Sequence, residues 1–384
     1  MDFRMGEGAE EFRADLRAFL EQAVTDERAE EYYRTGVLAD REFVAEALEA
    51  GYVAVPPPPG DWGAPQFEPW QARILDEEFL RAEAPCYGYG TSVAVARSVV
   101  AFGSPALIEE FVGPTVRGEL ITGYGFSEPE SGSDVAAAKT RAVRDGDEWV
   151  INGSKMFTTN AHVADYIFLL ARTNPDVPKH AGLTLFLVPV KDAPGFTAQA
   201  VYTVSGERTN ITFYDDMRIS DHYRIGEIDG GWKVMLHALQ DEHSAAFVGQ
   251  GDRMVCAAED WAREAGRTED EDALARIGKA AAEVEVGYLL QRRAAWMDWS
   301  GKGTPVAEGP MAKLHSSETL ERASQDLVDL LGPDGLRSYY EPTAPQHGKL
   351  EHLLRFSLGT TIYAGASEVQ RNIIAGQGLG LPRS

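Results

Sequence analysis

The spacing of apolar residues in this sequence changes twice along the chain, and these changes limit the folds that the chain can adopt. Residues 8 to about 120 repeat apolar residues at helical spacing, with Leu16 and Leu20 on one face. Residues 121 to 228 carry short apolar runs divided by turn signals, which is typical of β-strands. Long, alanine-rich amphipathic stretches follow. The order predicts an α+β fold in which a β-domain separates two helical domains. We expect these domains to span residues 1–120, 121–230 and 231–384.

Two short stretches indicate turns within this plan. Asp145-Gly146 stands between apolar runs and predicts a β-hairpin in the middle domain. The Pro-rich stretch "VPPPPGDWGAP" interrupts the N-terminal helices and predicts a loop.

The charge of the chain argues against nucleic acid as a partner. Sixty Asp and Glu against 36 Lys and Arg give a formal net charge of -24, and the basic residues form no stripe. Cys86 and Cys256 lack metal-ligand spacing and fit a reducing compartment, and the eight histidines show no metal-site pattern. The start of the sequence does not resemble a signal peptide, and no apolar run reaches membrane-spanning length. We therefore expect a cytoplasmic protein without a metal, membrane or nucleic-acid partner.

The first candidate binding segment is residues 124–134, "YGFSEPESGSD". Ser127, Ser131 and Ser133 offer hydroxyl groups, and Gly132 permits close backbone approach. Such a loop suits a planar polar ligand. The same composition also describes an ordinary surface turn.

A second segment, "INGSKMFTTN", follows about twenty residues later. Phe157 could stack on a ring while Thr158 and Thr159 bond its edge. A half-buried strand end would explain the same residues without a ligand. Neither segment contains the glycine pattern of a Rossmann or Walker phosphate site.

A carboxylate in "VMLHALQDEHSAAFVGQG" is the candidate general base. On a helix, Glu242 shares a face with apolar residues such as Met235 and Leu239, whereas Asp241 points away. Burial on that face would raise the pKa of Glu242, as a base working near neutral pH requires. Alternatively, Glu242 is paired with His243 or with an arginine elsewhere.

The last motif is "GTTIYAGASEVQRNIIA", residues 359–375. A Gly/Thr loop passes into a predicted helix after Gly365, with Ala366 or Ser367 near its N-terminus. A helix N-terminus can accept a phosphate or polar ring atoms. An ordinary cap followed by a packing helix would look the same.

Taken in order, these motifs resemble the acyl-CoA dehydrogenase family over nearly the whole chain. "YGFSEPESGSD" is similar to the family's "Y-C-x-T-E-P-x-A-G-S-D", and "KMFTTN" to its "K-M-W-I-T-N". "IYAGASEVQRNIIA" is similar to "I-Y-E-G-T-x-x-x-Q-R". The family's N-terminal helical domain, middle β-domain and C-terminal helical bundle correspond to the division predicted above.

The resemblance implies FAD as cofactor and an acyl-CoA as substrate. Phe126 and Ser127 would meet the flavin, Phe157 would pack on the isoalloxazine, and the Thr159 hydroxyl would face flavin N5. Ser133 would contact the pantetheine or pyrophosphate of the CoA arm. The full set of implied cofactor contacts is Tyr124, Phe126, Ser127, Gly132, Ser133, Phe157, Thr158, Thr159, Ala366 and Glu368. The implied substrate contacts are Ser133, His243, Tyr363 and Gly365.

One departure from the family pattern concerns the catalytic base. The usual Glu of "Y-E-G" is Ala364 here. Some members carry the base instead before an Arg in "D-x-E-R", and Glu242 fills that position, with His243 in place of the Arg. The expected catalytic groups are thus the Glu242 carboxylate and the main-chain N-H of Ala364, which would bond the thioester carbonyl.

A second departure points to a partner chain. The family's "R-x-x-F-G" has no counterpart near "WAREAGRTEDEDAL", and the Gln of "Q-x-x-G-G-x-G" is Asp329. Both family residues serve a neighbouring subunit's FAD diphosphate, which a carboxylate would repel. The resemblance therefore implies a hetero-oligomer in which a related chain supplies them, as in the two-gene dehydrogenases for steroid side chains and bulky acyl groups of actinobacteria.

The expected reaction is α,β-dehydrogenation of a bulky, branched or steroid side-chain acyl-CoA to the trans-2-enoyl-CoA, with an electron-transferring flavoprotein as acceptor. Two alternatives remain open. The chain could be a non-catalytic subunit of such a hetero-oligomer. It could also be a flavin oxidase or monooxygenase with the same fold.

Overall fold

The computed structural model describes residues 6–35, 40–55, 57–244, 247–299 and 305–382. The chain divides into two compact units, a first unit of Gly8–Gln240 and a second unit of Asp241–Ser384 with Met1–Glu7. The predicted order of helices, strands and helices is confirmed. Among the described residues, no helix combines the length and apolar character needed to cross a membrane.

The first unit contains a group of helices followed by a sheet. Its helices are α1 (Ala9–Ala23), α2 (Asp26–Thr35), α3 (Arg41–Glu49), α4 (Pro69–Arg81), α5 (Tyr87–Phe102) and α6 (Pro105–Val116). Its strands are β1 (Thr122–Gly125), β2 (Arg141–Asp145), β3 (Glu148–Lys155), β4 (Tyr166–Arg172), β5 (Leu183–Pro189), β6 (Phe196–Tyr202), β7 (Arg208–Ser220) and β8 (Arg224–Ile225). Helix α7 (Gly231–Ser244) begins in this unit.

The long secondary-structure elements that the structure describes in the second unit are helices. They are α8 (Val248–Glu264), α9 (Glu271–Trp299), α10 (Glu308–Leu331), α11 (Lys349–Thr360) and α12 (Ser367–Ile373). Met254, Ala258 and Leu327 are fully buried where α8 and α10 contribute to a shared apolar cluster. That cluster gives this unit a hydrophobic core of its own.

Local sequence signals determine where several helices begin. The Asp40 side chain accepts a hydrogen bond from the Phe43 N-H at 2.9 Å and so caps α3. The Ser104 hydroxyl accepts one from the Leu107 N-H at 3.2 Å, ahead of Pro105 in the first turn of α6. Proline is tolerated there because the first N-H groups of a helix have no partner within it.

The strands form a mixed sheet in the order β6-β7-β3-β2-β4-β5-β8, with β1 pairing parallel to β4. The predicted hairpin joins β2 to β3, and its two turn residues are Gly146 and Asp147. The turn therefore lies one residue later than Asp145-Gly146 suggested. Gly146 has a φ of +65°, a left-handed conformation that costs glycine little.

Strands β4 and β5 are buried on both faces of the sheet. Phe168 and Leu170 of β4 belong to one apolar cluster, and Ile167 and Leu169 to another. Successive side chains of a strand point to opposite faces. This explains why "YIFLLAR" is a continuous apolar run rather than an alternating one.

A buried ion network connects α1 to α4. Glu78 is only 1 % exposed, and its carboxylate contacts Arg13 at 2.5 Å, Arg17 at 2.7 Å and Arg81 at 2.8 Å. Burial alone would raise the pKa of Glu78, but the hydrogen bonds from the three guanidinium groups lower it to about 2. The carboxylate is therefore charged near neutral pH.

Replacing Glu78 with Gln should lower the free energy of unfolding by about 2 kcal/mol at pH 7, because the three guanidinium groups lose a buried, charged hydrogen-bond acceptor. The folded pKa lies below the ordinary value of 4.5, so the stabilisation is complete above pH 4.5 and is lost as the pH falls towards 2. The stability difference between wild type and variant, measured by urea denaturation, should shrink over that interval.

The matched control is Glu46→Gln. Glu46 pairs with Arg28 at 2.6 Å but is 49 % exposed, so its loss should cost less than about 1 kcal/mol. If the difference in free energy of unfolding between wild type and Glu78→Gln stayed constant down to about pH 3, the role assigned to Glu78 would be wrong.

Candidate functional site

The two loop motifs of the first unit lie side by side, although about thirty residues separate them in sequence. The first follows β1 and the second follows β3. The Met156 N-H donates a hydrogen bond to the Ser127 carbonyl at 2.8 Å. A Cβ at Gly123 would lie 2.8 Å from the Thr159 carbonyl, so glycine is needed for the second loop to approach β1. The sequence prediction that both loops serve one site is consistent with this contact.

The first loop closes into a tight turn. The Glu128 N-H donates to the Ser131 carbonyl at 2.9 Å, and the Ser131 N-H donates back to the Glu128 carbonyl at 3.0 Å. Gly132 and Ser133 follow in exposed positions, where a ligand can reach them. The Ser131 hydroxyl is buried without a hydrogen-bond partner in the part of the chain that is described.

A buried ion pair holds both loops from the interior. Lys155, the last residue of β3, is fully buried, and its Nζ donates to the Phe126 carbonyl at 3.0 Å and to Glu128 Oε1 at 2.9 Å. The Glu128 carboxylate also accepts from the Lys139 N-H at 2.7 Å and the Thr140 N-H at 2.9 Å. One carboxylate therefore joins the first loop to β2 and β3.

The charges of this pair depend on each other. Burial lowers the pKa of Lys155 to about 8, although the Glu128 carboxylate opposes the shift. Burial would raise the pKa of Glu128, but the Lys155 ammonium and the two backbone N-H groups lower it overall. The pair is consequently ionised at neutral pH, and each member would be a buried, uncompensated charge without the other.

The second loop exposes one aromatic ring, whereas its two threonines are half-buried and fully buried. Phe157 has a φ of +60° and is 58 % exposed, which is unusual for a large aromatic residue. Thr159 is half-buried, with its hydroxyl 3.4 Å from the Thr209 hydroxyl. Thr158 is fully buried, with its hydroxyl 3.5 Å from that of Thr212. The Thr158 side chain thus packs on the inner side of the loop, and the expected cofactor contact of this residue stays a prediction.

Rings and amides behind the loops complete the support. Tyr124 and Phe126 stack with centroids 4.9 Å apart. Asn210 is fully buried, and its Nδ2 donates to the Thr158 carbonyl at 3.0 Å and lies 3.3 Å from His162 Nδ1. Burial lowers the pKa of His162 to about 4, so this ring is neutral near pH 7.

The C-terminal motif forms a strained turn in the second unit. Ala364 has a φ of +53° and Gly365 a φ of +84°, and α12 begins at Ser367 after the cap residue Ala366, as predicted. Tyr363 is 42 % exposed and packs edge-to-face with Phe247, centroids 5.9 Å apart.

A cavity of about 420 Å³ lies beside this turn. Its lining includes Ala366, Ser367, Glu368, Arg322 and Arg371. Within the described chain, the buried Ser367 hydroxyl has no hydrogen-bond partner. Glu318 and Glu321 also line the cavity, and Arg371 pairs with Glu318 at 2.6 Å, so the lining carries more carboxylates than guanidinium groups.

The predicted base lies partly outside what the structure describes. Glu242 and His243 occupy the last turn of α7, but their side chains are not among the described residues. The role of Glu242 as the base and that of His243 at the substrate therefore remain predictions.

An exposed aromatic ring beside hydroxyls, in a β-domain flanked in sequence by helical domains, fits the class of flavoprotein oxidoreductases that the sequence resemblance implied. The chain belongs to the acyl-CoA dehydrogenase family, because residues 6–119, 123–217 and 229–379 match that family's N-terminal, middle and C-terminal domains. FAD is the family's cofactor, and the protein is an acyl-CoA dehydrogenase. The expected three-domain fold is confirmed.

Named relatives support this assignment along the whole chain. Acyl-CoA dehydrogenase FadE26 of Mycobacterium tuberculosis (strain ATCC 25618 / H37Rv) is 32% identical over 98% of this chain and 97% of its own length. The solved Tcur3481-Tcur3483 steroid ACAD superposes with a TM-score of 0.91 at 31% identity, covering 100% of both chains. The ChsE4-ChsE5 complex from Mycobacterium tuberculosis gives a TM-score of 0.90 at 32% identity, also covering 100% of both.

The residues that hold these segments in place were not predicted from the motifs. Glu128 and Lys155 stand inside the quoted motifs, but their pairing links residues 27 apart in sequence. A lysine at the end of a β-strand was a visible signal, because a buried lysine requires acceptors. Asn210 lies outside every motif, and its sequence position gives no comparable signal.

Removing one member of the Lys155–Glu128 pair should destabilise the protein by about 3 kcal/mol, because the remaining charge is buried and unpaired. We expect this loss for Lys155→Met and for Glu128→Gln. The double variant should lose less than the sum of the two, since it leaves no uncompensated charge. Urea denaturation of the four proteins measures the coupling.

Lys179→Met provides the control for this comparison of the single and double variants. Lys179 pairs with Asp134 at 2.7 Å, but the two side chains are 50 % and 55 % exposed. Its loss should cost less than about 1 kcal/mol. Strictly additive losses for Glu128 and Lys155 would show that the pair does not act as a unit.

Proposed function

We propose that this acyl-CoA dehydrogenase converts a bulky, branched or steroid side-chain acyl-CoA to its trans-2-enoyl thioester. The observation that carries the proposal is the pair of interlocked loops of the first unit, in which Phe157 is exposed and Thr159 is half-buried close to it in sequence. FAD, when bound, supplies the acceptor for the hydride that leaves the β-carbon. The electrons then pass to an electron-transferring flavoprotein.

Glu242 acts as the base in this proposal. It takes the α-proton as the hydride leaves the β-carbon, and the C–C single bond becomes a double bond. A thioester α-proton is far less acidic than a carboxylic acid in water, so the negative charge on the carbonyl oxygen must be stabilised. The Ala364 N-H supplies a hydrogen bond to that oxygen.

Individual residues of the first unit have separate tasks. The Phe157 ring packs against the flavin ring, and the Thr159 hydroxyl faces its reacting nitrogen. Ser127 and the backbone of Tyr124 and Phe126 contact the ring edge. Gly132 and Ser133 are exposed; Gly132 borders the cofactor, and Ser133 borders the cofactor and the CoA arm. In the second unit, Ala366 and Glu368 border the cofactor, and Gly365 and Tyr363 the substrate.

The replacement of a carboxylate by Ala364 suits a large acyl group, because a methyl leaves more room beside the α- and β-carbons than a glutamate does. One similar solved structure is that of the Tcur3481-Tcur3483 steroid ACAD. Together these observations support a bulky substrate over a straight-chain one.

A related partner chain completes the cofactor site. Asp329, at the position of the family's Gln, is 77 % exposed and lies 3.1 Å from Arg276. The same arginine also pairs with Asp272 at 3.3 Å and Asp326 at 3.5 Å. A surface with three carboxylates around one guanidinium repels a diphosphate. The related ChsE4-ChsE5 complex is formed from two chains, and we infer a comparable hetero-oligomer here.

Glu242→Gln tests the base. The variant should keep FAD and bind acyl-CoA, but lose turnover by roughly 10²- to 10⁴-fold, because an amide does not accept the α-proton. The measurement is bleaching of the flavin by a steroid or branched acyl-CoA under anaerobic conditions. Asp241→Asn, a change at the neighbouring residue predicted to face away, should leave the rate unchanged.

Each alternative gives a distinct result in that assay. Retained bleaching in Glu242→Gln would exclude Glu242 as the base. A wild-type complex that is never bleached would identify a non-catalytic subunit. Oxygen consumption that matches enoyl-CoA formation would identify an oxidase.

The partner proposal is tested by FAD content and native mass. We expect the chain purified alone to hold little FAD, and the chain co-expressed with a related dehydrogenase subunit to hold FAD in a larger complex. One FAD per chain in the protein purified alone would contradict the need for a partner, while leaving the dehydrogenase assignment intact.

A further inference from the structure

The turn formed by residues 361–366 has a backbone conformation that ordinary residues avoid. Ala364 and Gly365 both have positive φ, at +53° and +84°. The left-handed region is disfavoured for alanine, because its Cβ crowds the backbone. Such a conformation persists only where surrounding interactions determine it. The question is which groups hold it.

The main candidate is a lysine from another helix. Lys313 on α10 is fully buried, and its Nζ donates to the Thr360 carbonyl at 2.8 Å and to the Gly365 carbonyl at 2.7 Å. These two carbonyls flank the turn on either side. Thr360 also ends α11, where the partial negative charge of the helix terminus favours a cation.

A second buried side chain holds the centre of the turn. Gln370 is fully buried, and its Nε2 donates to the Ala364 carbonyl at 2.9 Å and the Gly365 carbonyl at 3.3 Å. A Cβ at Gly365 would lie 2.4 Å from that nitrogen, so glycine is needed for the contact. On the other side, the Tyr363 N-H donates to the Gly359 carbonyl at 3.0 Å.

These contacts leave one amide available. The peptide group that carries the Ala364 N-H lies between peptide groups that are hydrogen-bonded on both sides. In the part of the chain that the structure describes, the Ala364 N-H has no hydrogen-bond acceptor. The turn therefore presents a donor whose direction is set by its neighbours rather than by a bond of its own.

We propose that Lys313 is a positioning residue that sets the direction of the Ala364 N-H towards the thioester carbonyl. The inference rests on the proposed function, in which that N-H stabilises the developing oxyanion. Lys313 itself contacts neither substrate nor cofactor in this scheme. It acts by joining the end of α11 to the start of α12 across the turn.

The test compares Lys313→Met with wild type in the FAD-loaded complex. Methionine fills similar volume but donates no hydrogen bond. Amide hydrogen exchange in residues 361–366 should accelerate at least tenfold, with other segments unchanged. The kcat should fall roughly 10- to 100-fold with little change in KM, which is less than the 10²- to 10³-fold expected for removing a donor outright. FAD content should be retained.

Two further variants make the result specific. Lys349→Met removes the same charge from an exposed position on α11 and should alter neither exchange nor rate. Gln370→Leu retains Lys313 but removes the hydrogen bond to Ala364, and should change exchange and kcat in the same direction. It replaces Lys313→Met as the test if that variant does not fold.

The outcomes separate this inference from the function on which it rests. Unchanged exchange in residues 361–366, or faster exchange with an unchanged kcat, would overturn the role of Lys313 while the dehydrogenase function stands. A wild-type complex without acyl-CoA-dependent flavin bleaching would overturn the proposed reaction and the catalytic part of this inference. Hydrogen exchange would still show whether Lys313 orders the turn.

Discussion

The ion pair between Lys155 and Glu128 is the interaction on which the arrangement of the first unit's loops depends. The Lys155 ammonium group donates a hydrogen bond to a carbonyl of the first loop and to the Glu128 carboxylate. That carboxylate also accepts a hydrogen bond from the backbone just before β2. Both charges are removed from water, and such a pair is seldom a net source of stability compared with apolar residues. The pair instead fixes the orientation of the loop, because hydrogen bonds that involve charged groups restrict the loop to one geometry.

The second unit uses the same device with a different set of acceptors. Lys313 is likewise fully buried, and its Nζ bonds two main-chain carbonyls. In both units a lysine lies behind a loop whose exposed face carries the proposed chemistry. A flexible binding segment would lose entropy each time a ligand bound, and a loop that is already fixed avoids most of that cost.

Sequence patterns predicted the parts of this protein that depend on local residues. The order of helices and strands, the hairpin at β2–β3 and the start of α12 follow from periodicity and from the glycines at positions 146 and 365. Thr158 shows the limit, because its buried hydroxyl lies 3.5 Å from that of Thr212 on β7, 54 residues further along the chain. Contacts across more than twenty residues, such as Lys155 with Glu128, are set by sheet register, which motif spacing does not contain.

The left-handed conformation of Ala364 shows how one position can lose a side-chain function and keep a backbone function. The cost of its positive φ arises from Cβ, which every residue except glycine has. Replacing a carboxylate by a methyl therefore leaves the preferences of the backbone nearly unchanged. The contacts from Lys313 and Gln370 are made to main-chain carbonyls, so they do not depend on the side chain at 364. In the proposed reaction the amide donor can consequently stay in place while the base is supplied from α7.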